Sequence, residues 1–357
     1  MPNPISGLRQ ILALKLAAAW GTAVACGAGD GVSFLSGQAK RDAAVEVDNS
    51  RGIGFSKDGT AGPVNAGGSV FNFNLRYEAL DVLIAAFMGI AGAPAQQGAT
   101  AAYLNTYKFS PDIYGLFLTL AKSMVNYIEE IPTAKVAGIT LSGEVGATPL
   151  QLSAELVGID REVASAVNTL ATFANVTVPT GGDALPVMFS HLKFRMNDRD
   201  TADLDDLDDL IYPSKFTLAL KRKVKGEHTG EYRTGGANPQ DLIDEPANDD
   251  LPELTLTLEF PTHTAATYLT DLGNDARKKF DLAATGPVIA GAYSYQHLLQ
   301  LPHLQLKNAN PTDDKGRIKE PLEFLIHGAS VAPAGMAGIT DPLWWTVINK
   351  RTTDPLV

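Results

Sequence analysis

Residues 69–77 read SVFNFNLRY, and residues 78–89, which follow them directly, read EALDVLIAAFMG. The first stretch alternates apolar and polar residues, which is the period of a β-strand with one buried face. The second stretch changes to apolar residues every three or four positions and ends at Gly89, which is typical of a short helix. The sequence therefore predicts a strand followed at once by a helix.

The same succession occurs again in the second half of the chain. Residues 253–260 read ELTLTLEF and alternate strictly, and residues 261–272 then take helical spacing. One such unit in each half predicts a duplication. We expect two related β-rich modules, over residues 1–182 and 183–357.

Further alternating stretches surround these two units. Residues 136–145 and 150–157 alternate on either side of Gly146-Ala147-Thr148-Pro149, which predicts a hairpin. The polar and small residues at 89–102 and 226–252 predict loops. The expected fold class is mainly β with a few short helices, of the kind that forms a β-sandwich or a barrel.

Composition excludes several classes of protein. The chain has 357 residues, is 45% hydrophobic and 19% charged, and has a net charge of −11. An acidic surface argues against wrapping nucleic acid through phosphate neutralisation, but it suits a passage through which DNA slides without sticking. The only cysteine, Cys26, rules out an internal disulfide, and its small neighbours predict a buried residue.

The apolar stretch Ile11–Ala25 has two interpretations. It resembles a signal peptide, but Lys15 lies inside it and Trp20-Gly21 interrupts it. It is also too short to span a bilayer. A structured strand or arm is favoured, and no membrane association is expected.

Two charged clusters are the candidate subunit contacts. An acidic run contains Asp203, Asp205, Asp206, Asp208 and Asp209, and a basic run contains Lys221, Arg222, Lys223 and Lys225. Alternating carboxylates suit calcium, but the run lacks the glycine and glutamate of an EF-hand loop. A solvated acidic loop that meets the basic run of a neighbouring subunit is the favoured interpretation, because such pairs steer assembly.

The adjacent aromatic residues Trp344 and Trp345 are the third candidate contact. They could form a platform for a ligand, but burial of the terminal segment, or a place at a subunit contact, is favoured. The six histidines have no zinc spacing, and Ser142 lies in a strand rather than in a nucleophile elbow. We therefore expect no catalytic residue, metal site or cofactor, and no enzyme activity.

Several segments together carry a resemblance to a known family. They are the entry Trp20–Ala23, the strand and helix that end in Phe87-Met88-Gly89, the segment Tyr107–Asp112, and the hairpin strands Lys135–Gly143 and Leu150–Gly158. In the second half, Pro213–Leu220 and Leu301–Leu306 look like the opening and late strands of a second module. The chain resembles the tail tube proteins, or major tail proteins, of long-tailed bacteriophages with non-contractile tails.

The resemblance implies a structural role in the virion tail. Subunits of this family join their strands edge to edge into a large barrel around a lumen, and the rings stack into a tube that conducts DNA to the host cell. Two modules per chain imply trimeric rings. The implied partners are other copies of the chain, the tape measure, tail terminator and distal tail proteins, and DNA that passes without specific binding. Assembly takes place in the host cytoplasm.

A second class of function competes with this one. The chain could be a soluble β-sandwich module that binds a carbohydrate or a metal ion through Trp344, Trp345 and its long loops. Sequence alone also does not decide which side chains would face a lumen, because an error of one residue in strand register exchanges the two faces of every strand.

Overall fold

The computed structural model describes residues 7–40, 42–47, 54–55, 59–65, 69–146, 148–180, 184–226, 245–262 and 266–357. This part of the chain is mainly β, as the sequence predicts. In the first half the strands are β1 (Ile11–Ala17), β2 (Gly31–Val32), β3 (Ser36–Gly37), β4 (Asp42–Val47), β5 (Gly59–Asn65), β6 (Ser69–Asn74), β7 (Gly89–Ala91), β8 (Ala95–Gln96), β9 (Tyr103–Phe109), β10 (Phe117–Ser123), β11 (Ile128–Glu144) and β12 (Gln151–Gly158).

The second half has the same character. Its strands are β13 (Leu192–Asp198), β14 (Leu210–Ile211), β15 (Lys215–Lys225), β16 (Ala247–Phe260), β17 (Arg277–Ala290), β18 (Tyr293–Asn308), β19 (Thr312–Asp314), β20 (Arg317–Ile326) and β21 (Trp344–Asn349). The helices are α1 (Asp81–Met88), α2 (Leu170–Phe173) and α3 (Thr267–Gly273), and 3₁₀ turns lie at Gly7–Arg9 and Phe189–His191.

One long row of antiparallel strands runs through the molecule. Its order is β3, β6, β12, β11, β15, β16, β20 and β18, with β19 continuing β18 beside β20. The row begins in the first half of the chain and passes into the second between β11 and β15. It is not closed into a barrel, because its two end strands, β3 and β18, are not paired to each other.

Two shorter rows branch from the longest strands. One is β2, β1, β10 and β11, and the other is β14, β13, β17 and β18. Strand β18 also pairs with β21, which pairs with β9. Both β11 and β18 therefore belong to two rows. Strand β11 is buried on both faces from Ile128 to Ile139, whereas most of β18 alternates between buried and half-buried side chains.

The strand and helix predicted at residues 69–89 pack into the main hydrophobic core. Strand β6 buries Phe71 and Phe73, and all but one residue of α1 is buried. The helix ends where Gly89 takes a φ of 92°, a left-handed conformation that costs glycine little. The unit at 253–272 is also a strand and a helix, although residues 263–265 lie outside the described part.

Two sequence predictions about loops were wrong. Residues 89–102 contain the short strands β7 and β8, which pair with β9. Within the predicted loop 226–252, residues 247–252 belong to β16 and extend its ladder with β15. Charged and polar residues there hide the alternation, because both faces of this end of β16 are exposed. Residues 227–244 of that loop lie outside the described part.

Candidate functional site

The joint between β11 and β15 connects the two halves of the chain through a continuous sheet. Seven residue pairs are in register, from Gly138 with Lys221 to Glu144 with Lys215. Beyond them, the Val145 N–H donates to the Ser214 carbonyl at 2.8 Å. We call this pairing the central joint. Because it is made by backbone groups, it is a strand-to-strand contact that a separate chain could also make.

Side chains on one face of the central joint are buried. Leu141 lies opposite Leu218, and Ile139 lies opposite Leu220, and all four are at most 3% exposed. Burial of large aliphatic side chains stabilises such a pairing by about 2 kcal/mol per residue. The opposite face is polar, so the register of the joint is fixed by burial.

A glycine allows close packing at the end of the central joint. Gly143 lies opposite Phe216. A Cβ atom at residue 143 would meet the Leu150 side chain first, and it would lie 2.9 Å from the Phe216 ring and 3.0 Å from the Phe189 ring. A larger residue there would push the aromatic rings away from β11.

An open apolar cleft of about 450 Å³ lies beside the central joint. It is lined from the first half of the chain by Val145 and from the second half mainly by aromatic and aliphatic residues. These include Phe189, Ile211, Tyr212 and Pro261. Its position shows that the two halves form a shared surface at the joint.

The pairing pattern on one side of the central joint recurs on the other. The order β6, β12, β11, β10, β1, β2 in the first half matches β16, β20, β18, β17, β13, β14 in the second. Single backbone hydrogen bonds recur as well. The bond from Leu14 N–H to the Asp30 carbonyl corresponds to the bond from Met196 N–H to the Asp209 carbonyl. The bond from Leu35 N–H to the Asn72 carbonyl corresponds to that from Ser214 N–H to the Glu259 carbonyl. The bond from Ile159 N–H to the Thr133 carbonyl corresponds to that from His327 N–H to the His303 carbonyl.

The irregularities of the ladders recur at matched positions. Strand β11 shifts register against β10 around Pro132, and β18 shifts against β17 around Pro302. Strand β11 shifts again just before Gly138, as β18 does just before Asn308. The number of residues that separates Pro132 from Pro302 is therefore the same as the number that separates Gly138 from Asn308. Bulges are specific local features, so coincident bulges indicate corresponding strands.

The matched strands differ in one respect. The edge of β11 used by residues 138–144 is paired with β15. The corresponding edge of β18 and β19, residues 308–314, is paired with no strand in the described part of the chain. Strand β3 matches the start of β15, because Leu35 takes the place of Ser214 in the matched hydrogen bonds. The outer edge of β3 has no partner among the described strands either.

The acidic run forms its contacts within its own half of the chain. Asp206 pairs with Lys193 at 2.7 Å and with Arg195 at 3.2 Å. Asp209 is buried and accepts hydrogen bonds from Asn197 and from the Asp205 N–H. The pKa values of Asp205 and Asp206 are lowered, the first by backbone N–H donors and the second mainly by Lys193.

Contact between the acidic and basic runs of different subunits stays a prediction. Asp203, Asp205 and Asp208 are not buried in the chain and could face a partner. In the basic run, Lys223 is held by Asp250 at 2.9 Å and by Glu253 at 3.1 Å. Lys221 and Lys225 are exposed along the same strand.

Arg222, the remaining member of the basic run, is buried within the chain. Its guanidinium donates to the carbonyls of Phe87, at 3.0 Å, and Met88, at 3.4 Å, at the end of α1. It also lies 4.0 Å from the centre of the Phe109 ring. Burial lowers its pKa to about 10. It therefore connects β15 to the helix of the other half, and has no surface to offer a second subunit.

The two tryptophans lie on β21 with different environments. Trp345 is fully buried and donates its indole N–H to His297. Trp344 donates to Asp341 at 2.9 Å, and the Lys108 ammonium lies 4.1 Å from its ring centre. The favoured interpretation, burial of the terminal segment, therefore describes Trp345.

Cys26 is buried, which raises the pKa of its thiol to about 12. In the described ranges, no group of three or more histidine, cysteine or acidic side chains is placed to hold a metal ion. None of the helices described is long and apolar enough to cross a membrane.

Comparison of the chain with known protein families and with curated proteins finds no match. Neither the central joint nor the matched bulges were predicted from the sequence. A signal for the bulges was present, because Ile131-Pro132-Thr133-Ala134 and Leu301-Pro302-His303-Leu304 share a proline inside an apolar strand. Proline inside a strand marks an edge or a bulge.

Proposed function

We propose that this chain is the structural subunit of a bacteriophage tail tube, which polymerises as rings around a lumen that conducts DNA. The single observation that carries the proposal is the recurrence of one strand order on both sides of the central joint. Two related modules, first predicted from residues 69–89 and 253–272, account for that recurrence. The central joint is then a junction between modules inside one chain.

A junction between like modules implies a way to assemble. In the described part of the chain, eight strands form the long row, and the outer edges at its two ends, on β3 and on residues 308–314, are paired with no strand. A row that ends in unpaired strands is stabilised when another copy continues it, because exposed edges leave backbone groups without partners. The two ends are different surfaces, so the contact is heterologous and gives a ring if the rotation closes.

The size of the ring follows from the strand count. Three copies of an eight-stranded row place 24 strands in one barrel. With a strand spacing of about 4.8 Å and a tilt of about 40°, such a barrel measures about 48 Å between opposite backbones. A barrel of this diameter leaves an open lumen after the inward-facing side chains are accounted for. The net charge of −11 suits a lumen from which DNA is repelled.

The proposal also covers the partners and location of the protein. The chain would assemble in the host cytoplasm and remain in the virion tail, in contact with tape measure, tail terminator and distal tail proteins. Rings would stack through surfaces other than the strand edges that close them.

Electron microscopy of the purified chain tests the proposal. We expect rings or stacked tubes with a central channel at high protein concentration, and rings of three copies by mass measurement. A protein that stays monomeric at the highest concentrations would contradict the proposal. Stabilisation of such a monomer by a sugar or by calcium would instead favour the soluble binding module.

A further inference from the structure

We infer that the open edge of β18 and β19 pairs with the outer edge of β3 in a second copy of this chain, in the register of the central joint. The inference deepens the proposed function, on which it rests for the identity of the partner. It follows from the matched strands of the two halves and from the register of their pairings.

The two edges correspond to the two sides of the central joint. From the matched register shifts at Gly138 and Asn308, residues 308–314 correspond to residues 138–144, which form the β11 side of the central joint. From the matched hydrogen bonds of Leu35 and Ser214, residues 35–40 correspond to residues 214–219, which form the β15 side of the central joint. Among the described strands there is thus one complete joint between the halves, and each end of the long row presents an edge that corresponds to one side of that joint.

The register of the proposed contact follows from these correspondences. The pair of Ser142 and Thr217 in the central joint corresponds, in the proposed contact, to Thr312 opposite Gln38 of the second copy. Glu144 with Lys215 becomes Asp314 with Ser36. The contact is antiparallel, as every strand pairing in the described residues is, and each copy uses one edge of each kind.

Both edges are accessible in the single chain. Ser36, Gln38, Thr312 and Asp314 are all exposed. Leu35, which stands where Ser214 stands in the central joint, is 53% exposed. An exposed leucine at the margin of an unpaired strand is a feature that pairing with a second copy would cover.

One difference from the central joint weakens the contact. Pro311 takes the position of Leu141, which pairs with Leu218 of β15 in the central joint. Proline has no N–H, so the second copy receives one hydrogen bond fewer there. A proline on an edge strand also discourages indiscriminate pairing, which is a known protection against aggregation. We therefore expect a contact that needs the correct partner edge and is weaker than the central joint.

A disulfide between engineered cysteines tests the register. The variant Gln38→Cys with Thr312→Cys, in a Cys26→Ala background, places both thiols at positions that match Thr217 and Ser142. The Val145 to Ser214 hydrogen bond places Ser142 and Thr217 at a non-hydrogen-bonded pair, where Cα atoms lie about 4.5 Å apart and a disulfide fits. Under mild oxidation we expect covalent dimers and larger rings on a non-reducing gel.

The chain supplies a matched benchmark and a matched control. Ser142→Cys with Thr217→Cys should form the same bond inside one chain, with no covalent oligomer. Gln38→Cys with Asp313→Cys should not form covalent oligomers, because adjacent strand residues point to opposite faces. Melting temperatures of all variants, measured in reducing buffer, check that each one folds.

The outcomes separate this inference from the proposed function. Oligomers from the Gln38 and Thr312 pair but not from the control pair support the inference. Rings or tubes in the microscope, with the benchmark bond formed but no bond between residues 38 and 312, would overturn the inference and leave the proposed function standing. A strict monomer with no bond between copies would overturn both.

Discussion

The indole N–H of Trp345 donates to Nδ1 of His297 at 3.1 Å, and this bond fixes the protonation state of a fully buried histidine. Since the indole can only donate, Nδ1 must accept, and the proton of the neutral ring lies on Nε2. That nitrogen lies 3.0 Å from the Arg76 carbonyl and donates to it. The pair also connects β18 to β21, and so holds the last strand on the sheet.

The state of His297 predicts a dependence of stability on pH. Burial lowers the pKa of His297 from 6.5 to about 4. Between pH 6.5 and 4 the unfolded chain binds a proton that the folded chain does not, so stability decreases as pH falls through this window. The total contribution is about 3 kcal/mol, and it levels off near pH 4. Urea unfolding at pH 7 and pH 4.5 measures it.

The control for this prediction is His297→Gln, which keeps an acceptor and a donor but does not titrate. The loss of stability between the two pH values should be smaller in the variant than in the original chain, by most of the roughly 3 kcal/mol expected from the pKa shift. Equal losses in the two proteins would show that His297 does not titrate as the buried geometry requires.

Replacement of Arg222 by methionine should destabilise the fold by about 2 kcal/mol. The change leaves the Phe87 carbonyl without its donor at a buried helix end. It also removes one of two donors to the Met88 carbonyl, which keeps its hydrogen bond from the Ser110 N–H at 2.7 Å. Urea unfolding at low protein concentration gives the free energy. The neighbouring exposed Lys221 provides the control, since Lys221→Met should change it by less than about 0.5 kcal/mol. Similar losses in both variants would contradict the assigned role.

Replacement of Lys279 by methionine should lower the free energy of unfolding by about 3 kcal/mol. Its buried ammonium donates to the carbonyls of Thr201, Ala202 and Ala334, and so holds two loops against β17. Thermal unfolding measures the loss. The surface pair of Lys193 and Asp206 is the comparison, because Lys193→Met should cost at most about 1 kcal/mol. A larger loss of stability in Lys193→Met than in Lys279→Met would contradict this prediction.

Substitution of Gly143 by valine should open the central joint. The added side chain meets Leu150 and the rings of Phe216 and Phe189, and overpacking of this kind costs about 1–3 kcal/mol. Hydrogen exchange should become faster at residues 138–144 and 215–221. Gly92→Val, at a glycine where an added Cβ has no atom within 4 Å, should leave exchange at the joint unchanged. Unchanged exchange in Gly143→Val would contradict the close packing.

Local sequence patterns predicted the elements well where one face of a strand is buried. The strand and helix at 69–89 and the hairpin of β11 and β12 were predicted from alternation and turn residues. The pattern failed at residues 247–252, where both faces of β16 are exposed and no alternation is needed. It also failed at β7 and β8, which are two or three residues long.

The sequence by itself determined the strands that bury one face, because burial with a period of two follows from the order of apolar and polar residues. Which strands pair was decided only by the tertiary structure. Residues 138–144 and 215–221 are far apart in the chain, and the backbone bonds that join them carry no sequence signature. The same holds for Arg222, whose charged side chain predicts a surface, whereas the carbonyls at the end of α1 hold it inside the fold.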